Sequence, residues 1–233
     1  MRDNILEFKS VSFAYPGSKT LFEDASIAFE KGRFYVIAGP SGCGKSTFLR
    51  LINLLEASTS GEIRFKGRSV TAYDPTALRQ SILYIQQVPQ VVDGSVRDNL
   101  LLPFTFIRNK DIPRPDDSQL KALMQRLLLL DVDLDDSAKS LSTGQQQRIC
   151  FIRGLLLSPE VVLLDEPTSA LDADSCRMVQ ETAENLCQER GITVLMVSHR
   201  EMETCSLESV CLTVAHGKVV PNAASLEKNE EPV

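Results

Sequence analysis

The chain has 233 residues, of which 43% are hydrophobic and 24% are charged, and it carries a formal net charge of −6 at neutral pH. This length suits one domain, or one domain with an inserted lobe. The negative charge argues against broad nucleic-acid binding, which needs a basic face. No apolar run approaches the roughly 18 residues of a membrane span, and residues 1–4 lack a signal-peptide pattern. We therefore expect a cytoplasmic protein without a nucleic-acid partner.

The first part of the chain has the pattern of β-strands. Residues 5–38 alternate or run apolar, and the turn signals Pro16-Gly17 and Lys31-Gly32 interrupt them. Another strand is expected over residues 60–65, where Ser60 and Gly61 precede an alternating segment. The last of the early apolar runs, residues 34–38, leads directly into a glycine-rich stretch.

That glycine-rich stretch reads Gly39-Pro40-Ser41-Gly42-Cys43-Gly44-Lys45-Ser46-Thr47. It fits the G-x-x-x-x-G-K-[ST] pattern of a phosphate-binding loop, and the helix-compatible residues 46–52 follow it. Glycines let backbone N–H groups converge on an anion, and the helix N-terminus adds its positive dipole end. We expect Lys45 to reach the β- and γ-phosphates of a nucleotide and the Ser46 hydroxyl to bind Mg²⁺.

The middle of the chain changes from strand to helix. Residues 82–85 form a short continuous apolar run, which indicates a buried strand. From about residue 90 to residue 157 the pattern is helical, and one helix is expected over residues 119–130. Ser95 and Asp98 have the spacing of a helix start.

A second helix start lies in the segment Leu141-Ser142-Thr143-Gly144-Gln145. Ser142 and Gln145 have the spacing of a capping box, so a helix is expected to begin here and to continue through Leu156. A helix N-terminus can hold an anion. Because the phosphate loop already serves one nucleotide, this helix suggests a second nucleotide contact. A plain helix cap without a ligand is the alternative interpretation.

Two adjacent carboxylates, Asp165 and Glu166, end the buried strand predicted at residues 161–164. Ligand groups gather at the carboxyl ends of strands in open α/β sheets. We expect Asp165 to hold Mg²⁺ directly or through water. Glu166 would orient or deprotonate an attacking water, a role worth roughly 10²–10⁴ in rate. A solvated acidic strand end is the alternative.

A helix at residues 176–187 and a buried strand at residues 192–197 are expected next, so strands and helices alternate in this part of the chain.

In their order along the chain, these segments resemble the motifs of the nucleotide-binding subunit of ATP-binding-cassette (ABC) transporters, over nearly the whole length. Residues 39–47, 141–145 and 161–166 match the Walker A, signature and Walker B motifs. The adenine-stacking aromatic, the Q-loop glutamine, the D-loop and the switch histidine match Tyr15, Gln87 (with Gln86 as a competing assignment), Ser169-Ala170-Leu171-Asp172 and His199. Thr143 stands where the family usually has glycine, but Ser142 and Gly144 are present, so the phosphate contact should survive.

The resemblance implies an α/β fold. Its parts would be a P-loop NTPase (RecA-like) core, an N-terminal antiparallel β-subdomain and an inserted α-helical subdomain. The core with its β-subdomain is expected over residues 1–87 and 158–221. The helical subdomain would span residues 88–157, and a polar tail would cover residues 222–233.

The resemblance also implies an ATPase with ATP and Mg²⁺ as cofactors. The residues implied as catalytic are Lys45, Glu166 and His199. Those implied to hold Mg²⁺ are Ser46, Gln87 and Asp165. Those implied to contact the nucleotide are Tyr15, Gly39, Pro40, Ser41, Gly42, Cys43, Gly44, Lys45, Ser46, Thr47, Gln87, Ser142, Gly144, Gln145 and Asp165.

Two partners follow from the same resemblance. Family members dimerise head to tail around two ATP molecules, so that the phosphate loop of one copy and the signature segment of the other enclose each γ-phosphate. The helical lobe near residues 88–105 would dock an integral-membrane permease subunit. The chain would then lie on the cytoplasmic face of the plasma (inner) membrane.

The cargo is less well specified by the sequence. Residues 93–100, 102–104 and 107–109 look like the small Fet-type (YbbL-like) ATPases linked to iron export, and more weakly like phosphate-import ATPases. A non-transport ABC ATPase of DNA repair or translation is a second class. Repair proteins insert long coiled coils, whereas no sustained heptads occur here. A P-loop kinase or GTPase is a third class, but it leaves residues 141–145 unexplained.

Overall fold

The computed structural model of the chain describes residues 3–167, 173–198, 209–215 and 217–222. Its strands are β1 (Asn4–Ala14), β2 (Thr20–Glu30), β3 (Phe34–Ala38), β4 (Ser60–Phe65), β5 (Arg68–Ser69), β6 (Ile82–Ile85), β7 (Val161–Asp165), β8 (Thr193–Val197), β9 (Val210–Ala215) and β10 (Lys218–Pro221). Its α-helices are α1 (Lys45–Ile52), α2 (Pro75–Ser81), α3 (Val96–Leu101), α4 (Asp117–Arg126), α5 (Thr143–Leu155) and α6 (Ala173–Arg190). Short 3₁₀ turns occur at Val70–Ala72, Leu102–Thr105, Ile107–Asn109 and Ala138–Ser140.

The strands form two sheets. The first is antiparallel and has the order β2-β1-β4-β5. The second has the order β10-β9-β3-β8-β7-β6, and its strands run parallel except for β10, which pairs antiparallel with β9. Parallel strands direct their carboxyl ends to one edge of a sheet, and the loops that follow β3 and β7 therefore meet there. The predicted α/β class and the N-terminal antiparallel sheet are confirmed.

The central sheet separates two hydrophobic cores. Successive side chains of a strand point to opposite faces, so Tyr35 and Ile37 of β3 pack in one core while Phe34 and Val36 pack in the other. The first core also contains α1 and the antiparallel sheet, and the second contains α3, α4, α5 and α6. Every residue of β3, β7 and β8 is buried, which explains their continuous apolar sequences.

Aromatic rings anchor α1 to the antiparallel sheet. Phe48 on α1 stacks on Phe8 of β1 with ring centroids 4.4 Å apart, and it also contacts Phe22 and Phe29. All of these rings are at most 3% exposed. Such pairs add to the free energy of burial because edge and face charges of the rings complement each other. The packing fixes the N-terminus of α1, and with it the loop that precedes this helix.

The helical region follows the sequence prediction at its starts and departs from it at one end. The predicted cap of α3 is present, with Ser95 Oγ accepting from the Asp98 N–H at 3.0 Å. The prediction of a helix to residue 130 is wrong, because α4 ends at Arg126 and Leu128 has a left-handed φ of 53°. Within residues 127–130, alternate leucines are buried and exposed. In the described ranges, no helix is both long and apolar enough to cross a bilayer.

A buried amide shapes the loop that enters α3. Asn99 is fully buried, and its Oδ1 accepts from the Val92 N–H at 2.8 Å. Its Nδ2 donates to the carbonyl oxygens of Val92 and Ser95, both at 3.0 Å. A buried amide side chain needs partners of this kind because water cannot reach it. One side chain therefore holds Val92 and Ser95 in place at the entry to α3.

Replacing this amide should destabilise the protein without touching the candidate site. We expect Asn99→Ala to lower the free energy of unfolding by about 2–3 kcal/mol, because three hydrogen bonds of a buried side chain to Val92 and Ser95 are lost. Asn185→Ala, at an exposed position of α6, is the matched control and should change it by less than about 0.5 kcal/mol. Urea denaturation measures both. Equal stability of Asn99→Ala and the parent would contradict this account of the loop.

Candidate active site

The phosphate-binding loop connects β3 to α1, and its backbone requires glycine. Gly39 and Gly44 have φ values of 149° and 103°, which side chains on L-residues disfavour. A Cβ on Gly39 would lie 2.6 Å from the Val214 carbonyl oxygen, and one on Gly44 would lie 3.0 Å from the Phe22 ring. The loop therefore needs glycine both for its curvature and for its close approach to β9 and to the first core.

The Lys45 ammonium group lies inside this loop. Its Nζ donates to the carbonyl oxygens of Gly39 at 2.8 Å and of Pro40 at 3.1 Å, and the residue is 5% exposed. Because α1 begins at this residue, its positive charge adds to that of the helix N-terminus. The loop thus holds a buried cation at a helix N-terminus, an arrangement that suits a phosphate group.

Ser46 and Asp165 join the loop to the end of β7. Ser46 Oγ donates to Asp165 Oδ1 at 2.7 Å, and Asp165 is 4% exposed. A hydroxyl and a carboxylate are hard oxygen donors of the kind that Mg²⁺ prefers, particularly where phosphate oxygens complete its shell. The donor set therefore fits the Mg²⁺ site expected from the sequence.

The second oxygen of this carboxylate has a partner that the sequence analysis missed. The Tyr84 hydroxyl, on β6, donates to Asp165 Oδ2 at 2.6 Å, and Arg50 Nε donates to that hydroxyl at 3.3 Å. Burial, with the bond to Asp165 as the second cause, raises the pKa of Tyr84 to about 12, so the phenol stays protonated. The apolar pattern of residues 82–85 hid this role. The available signal was that a phenol in a buried strand needs a polar partner.

Glu166 follows β7 directly and contacts Gln87. Its φ of 50° places a non-glycine residue in the left-handed region, a strain that is typical of functional sites. Gln87 Nε2 donates to Glu166 Oε2 at 3.0 Å. Gln86, the competing assignment for the Q-loop residue, lines a different cavity. The geometry therefore favours Gln87 as the glutamine of this site.

A cleft of about 470 Å³ lies over the phosphate loop. Glu166 lines one part of it and Tyr15 another, with loop residues between them. The Tyr15 hydroxyl is hydrogen-bonded to Thr47 Oγ1 at 3.2 Å and donates to Glu56 Oε1 at 3.3 Å. The half-buried Tyr15 ring is therefore held beside the loop, where an aromatic that stacks on a nucleotide base is expected.

The signature segment lies elsewhere on the surface. Ser142 caps α5 as predicted: its N–H donates to Gln145 Oε1 at 2.9 Å, and its Oγ accepts from the Gln145 N–H at 3.3 Å. Ser142 is exposed, and neither it nor Gly144 nor Gln145 lines the cleft. Within one chain, Tyr15, the phosphate loop, Gln87, Asp165 and Glu166 therefore lie together, whereas the three signature residues lie apart from them. His199 and residues 169–172 lie outside the described residues.

A second cavity, a groove of about 330 Å³, lies between β6, α5 and the 3₁₀ turns at residues 102–109. Its rim includes Val88 and Phe106, which are 64% and 58% exposed. The cations Arg79, Arg108 and Arg153 also line it. Exposed apolar side chains grouped around a concave surface are typical of a protein-binding site. Gln86 and Val88, the neighbours of Gln87 in the sequence, both line this groove.

The chain is similar in sequence to known ABC transporter proteins. A model of the ABC transporter family matches residues 22–169. The chain is 35% identical over 218 residues to the probable iron export ATP-binding protein FetA of Escherichia coli (strain K12), covering 93% of this chain and 95% of that protein. It is 34% identical over 214 residues to the phosphate import ATP-binding protein PstB 3 of Natronomonas pharaonis, covering 88% and 76%. Other relatives are longer, and the chain spans 54% and 16% of two of them.

The fold has a close counterpart among solved structures. The chain resembles cbiO1 from Clostridium perfringens, part of the ABC transporter complex cbiONQ, with a TM-score of 0.81 and 23% sequence identity, covering 98% of this chain and 92% of that one. At this level of identity the likeness shows the fold alone. The predicted P-loop NTPase core with its antiparallel N-terminal sheet is thereby confirmed.

Two half-buried cysteines test whether the cleft binds a nucleotide. Cys43 lies in the phosphate loop, and Cys176 lies on α6 away from the cleft. We expect ATP to slow alkylation of Cys43 by N-ethylmaleimide in proportion to the occupied fraction, because bound phosphates would cover the loop. Alkylation of Cys176 should be unchanged. Peptide mass spectrometry follows both thiols in one sample. Equal rates at Cys43 with and without ATP would contradict the assignment.

Proposed function

This chain belongs to the ABC transporter family and is the ATPase subunit of such a transporter, and on that premise we propose that it powers transport through a separate membrane subunit. The observation that carries the proposal is that Lys45, Ser46 and Glu166 line one cleft and that Ser46 is hydrogen-bonded to the carboxylate of Asp165. A cation, a metal-binding carboxylate and a water-orienting carboxylate are the groups that ATP hydrolysis needs.

ATP is proposed to bind with its phosphates in residues 39–47. Lys45 and the loop N–H groups would contact the β- and γ-phosphates, and the Tyr15 ring would stack on adenine. Ser46, Gln87 and Asp165 would hold Mg²⁺, which when bound supplies positive charge to neutralise the phosphate oxygens. The Ser46–Asp165 bond of 2.7 Å supports this, because it already brings two of the oxygen groups together.

Glu166 is the proposed acceptor of a proton from the attacking water. It lines the cleft beside the phosphate loop, and the Gln87 amide donates to its carboxylate. A carboxylate in that position can orient the water and take its proton as the water oxygen bonds to the γ-phosphorus and the bond from that phosphorus to ADP breaks. His199 is proposed to contact the γ-phosphate, by the family resemblance alone.

A second copy of the chain is proposed to complete each site. Ser142, Gly144 and Gln145 form a well-capped helix start that is outside the cleft of its own chain. In a head-to-tail dimer, this helix N-terminus from one copy would meet the γ-phosphate bound by the other. ATP would then favour the closed dimer because it contacts both copies only in that state.

The groove beside Gln87 is the proposed docking surface for an integral-membrane permease subunit. Its exposed apolar rim suits the apolar side of a helix. Arg108 pairs with Asp74 at 2.8 Å. Arg79 and Arg153, in contrast, donate to backbone carbonyl oxygens and keep a positive charge that suits acidic residues of the same partner. Docking there would place the ATPase on the cytoplasmic face of the inner membrane. Because β6 leads from the groove into Gln87, movement of the partner and closure over ATP can be coupled.

Iron or metal export is the proposed transport function, and phosphate-type import is the alternative. The export proposal is supported by identity of 35% to the iron export protein over 95% of its length, against 34% and 76% for the phosphate import protein. Expression of the chain with its membrane partner, followed by measurement of cell iron and phosphate, tests the two. Lower cell iron supports export, and higher cell phosphate supports the alternative. A partner-independent ATPase would favour a non-transport function.

The role of Glu166 is tested by Glu166→Gln. We expect ATP binding to persist, hydrolysis to fall by roughly 10²–10⁴ because the proton acceptor is lost, and a dimer to accumulate with MgATP. Phosphate release and light scattering after size-exclusion chromatography measure these properties. Glu160→Gln is the matched control, since Glu160 pairs with Lys66 at 2.8 Å and does not line the cleft. Hydrolysis by Glu166→Gln at the parental rate would refute the role.

The docking surface is tested by Phe106→Asp. A carboxylate at this exposed rim position should abolish capture of a membrane partner, because it places charge on the apolar contact. Leu128→Asp is the control, since Leu128 is 53% exposed but is not among the groove residues. Affinity purification from solubilised membranes, with mass spectrometry, reads the outcome. Retention of the partner by Phe106→Asp, or its equal loss in Leu128→Asp, would contradict the assignment.

A further inference from the structure

We propose that Tyr84 is a positioning residue for the metal-binding carboxylate of Asp165, and that Arg50 supports it. The inference rests on the proposed function, because it concerns the Mg²⁺ half of the ATP site. Its basis is that Asp165 is held at both oxygens: Oδ1 accepts from Ser46 at 2.7 Å, and Oδ2 accepts from Tyr84 at 2.6 Å.

The direction of the Tyr84 bond follows from chemistry. A carboxylate oxygen accepts hydrogen bonds, so the Tyr84 O–H is the donor and Asp165 Oδ2 is the acceptor. An O–H···O⁻ distance of 2.6 Å lies in the range of charge-assisted bonds, which are stronger than neutral ones. Asp165 is 4% exposed, so bulk water cannot replace the donor. Without this hydroxyl, Asp165 Oδ2 would remain buried but would lose its hydrogen bond from Tyr84.

Arg50 extends the arrangement back to α1. Its guanidinium cannot accept a hydrogen bond, so Nε donates to the Tyr84 oxygen, at 3.3 Å. Ser46 and Arg50 are four residues apart and therefore share a face of α1. The helix that carries the phosphate loop thus reaches Asp165 in two ways, directly through Ser46 and indirectly through Arg50 and Tyr84.

This arrangement would fix the rotation of the carboxylate before a metal arrives. Ligating carboxylates whose outer partners are removed commonly lose roughly 10- to 100-fold in metal affinity. The aromatic ring of Tyr84 packs against the first core, and phenylalanine would preserve that packing. Tyr84→Phe therefore separates the hydroxyl from the ring.

The test measures Mg²⁺ dependence rather than turnover. ATP binding by the full chain is followed by isothermal titration calorimetry in EDTA and at increasing Mg²⁺ concentrations. For Tyr84→Phe we expect parental affinity in EDTA and a roughly 10- to 100-fold rise in the Mg²⁺ concentration needed for half of the Mg²⁺-induced gain. Tyr73→Phe is the matched control, because the Tyr73 hydroxyl donates to the Phe65 carbonyl oxygen at 3.0 Å and is not bonded to Asp165.

Arg50→Gln provides a second, independent variant. It should shift the Mg²⁺ dependence in the same direction by less, and the double variant should match Tyr84→Phe alone, because Arg50 acts through the phenol. Arg50→Gln carries the test if Tyr84→Phe does not fold. An unchanged Mg²⁺ dependence, additive shifts, or equal losses with and without Mg²⁺ would overturn the inference. Absence of Mg²⁺-dependent ATP binding by the parent would instead refute the proposed function.

Discussion

The hydrogen bond from Ser46 to Asp165 joins two segments that are 119 residues apart in the chain. One segment supplies the phosphate loop and the cation of Lys45, and the other supplies the adjacent carboxylates of Asp165 and Glu166. They meet because β3 and β7 run parallel with β8 between them, so that their carboxyl ends share an edge. The apolar strands thus bring the glycine-rich loop and the two carboxylates to the same edge of the sheet.

The parts of the site that the sequence predicts are those encoded locally. The phosphate loop, the buried strand before Asp165 and the cap at Ser142 each occupy a few consecutive residues, and each has a spacing set by backbone geometry. Tyr84 could not be recognised in this way, because its partner Asp165 is 81 positions away in the sequence. Its neighbours Leu83 and Ile85 are both apolar, so the segment looks like an ordinary buried strand. The end of α4 at Arg126 was missed for a related reason. Packing against the second core, rather than helix propensity, buries Leu127 and Leu129.

Two surfaces of the described structure have geometry that suits a partner. The helix start at Ser142 is capped and exposed, yet it does not line the cleft of its own chain. The groove near Phe106 combines exposed apolar side chains with arginines. In our account a second copy uses the first surface and a membrane subunit uses the second. ATP binding would be linked to transport because β6 connects the groove to Gln87 and the cleft.

Mixing two inactive variants tests most directly whether the ATP site is shared between copies. Lys45→Ala removes the phosphate-loop cation, and Ser142→Arg obstructs the signature helix. If each site takes the loop from one copy and the signature from the other, a mixed dimer contains one intact site. We expect each variant alone to be inactive and the mixture to recover part of the parental ATPase activity. A mixture as inactive as its components, with both variants folded and able to dimerise, would contradict it.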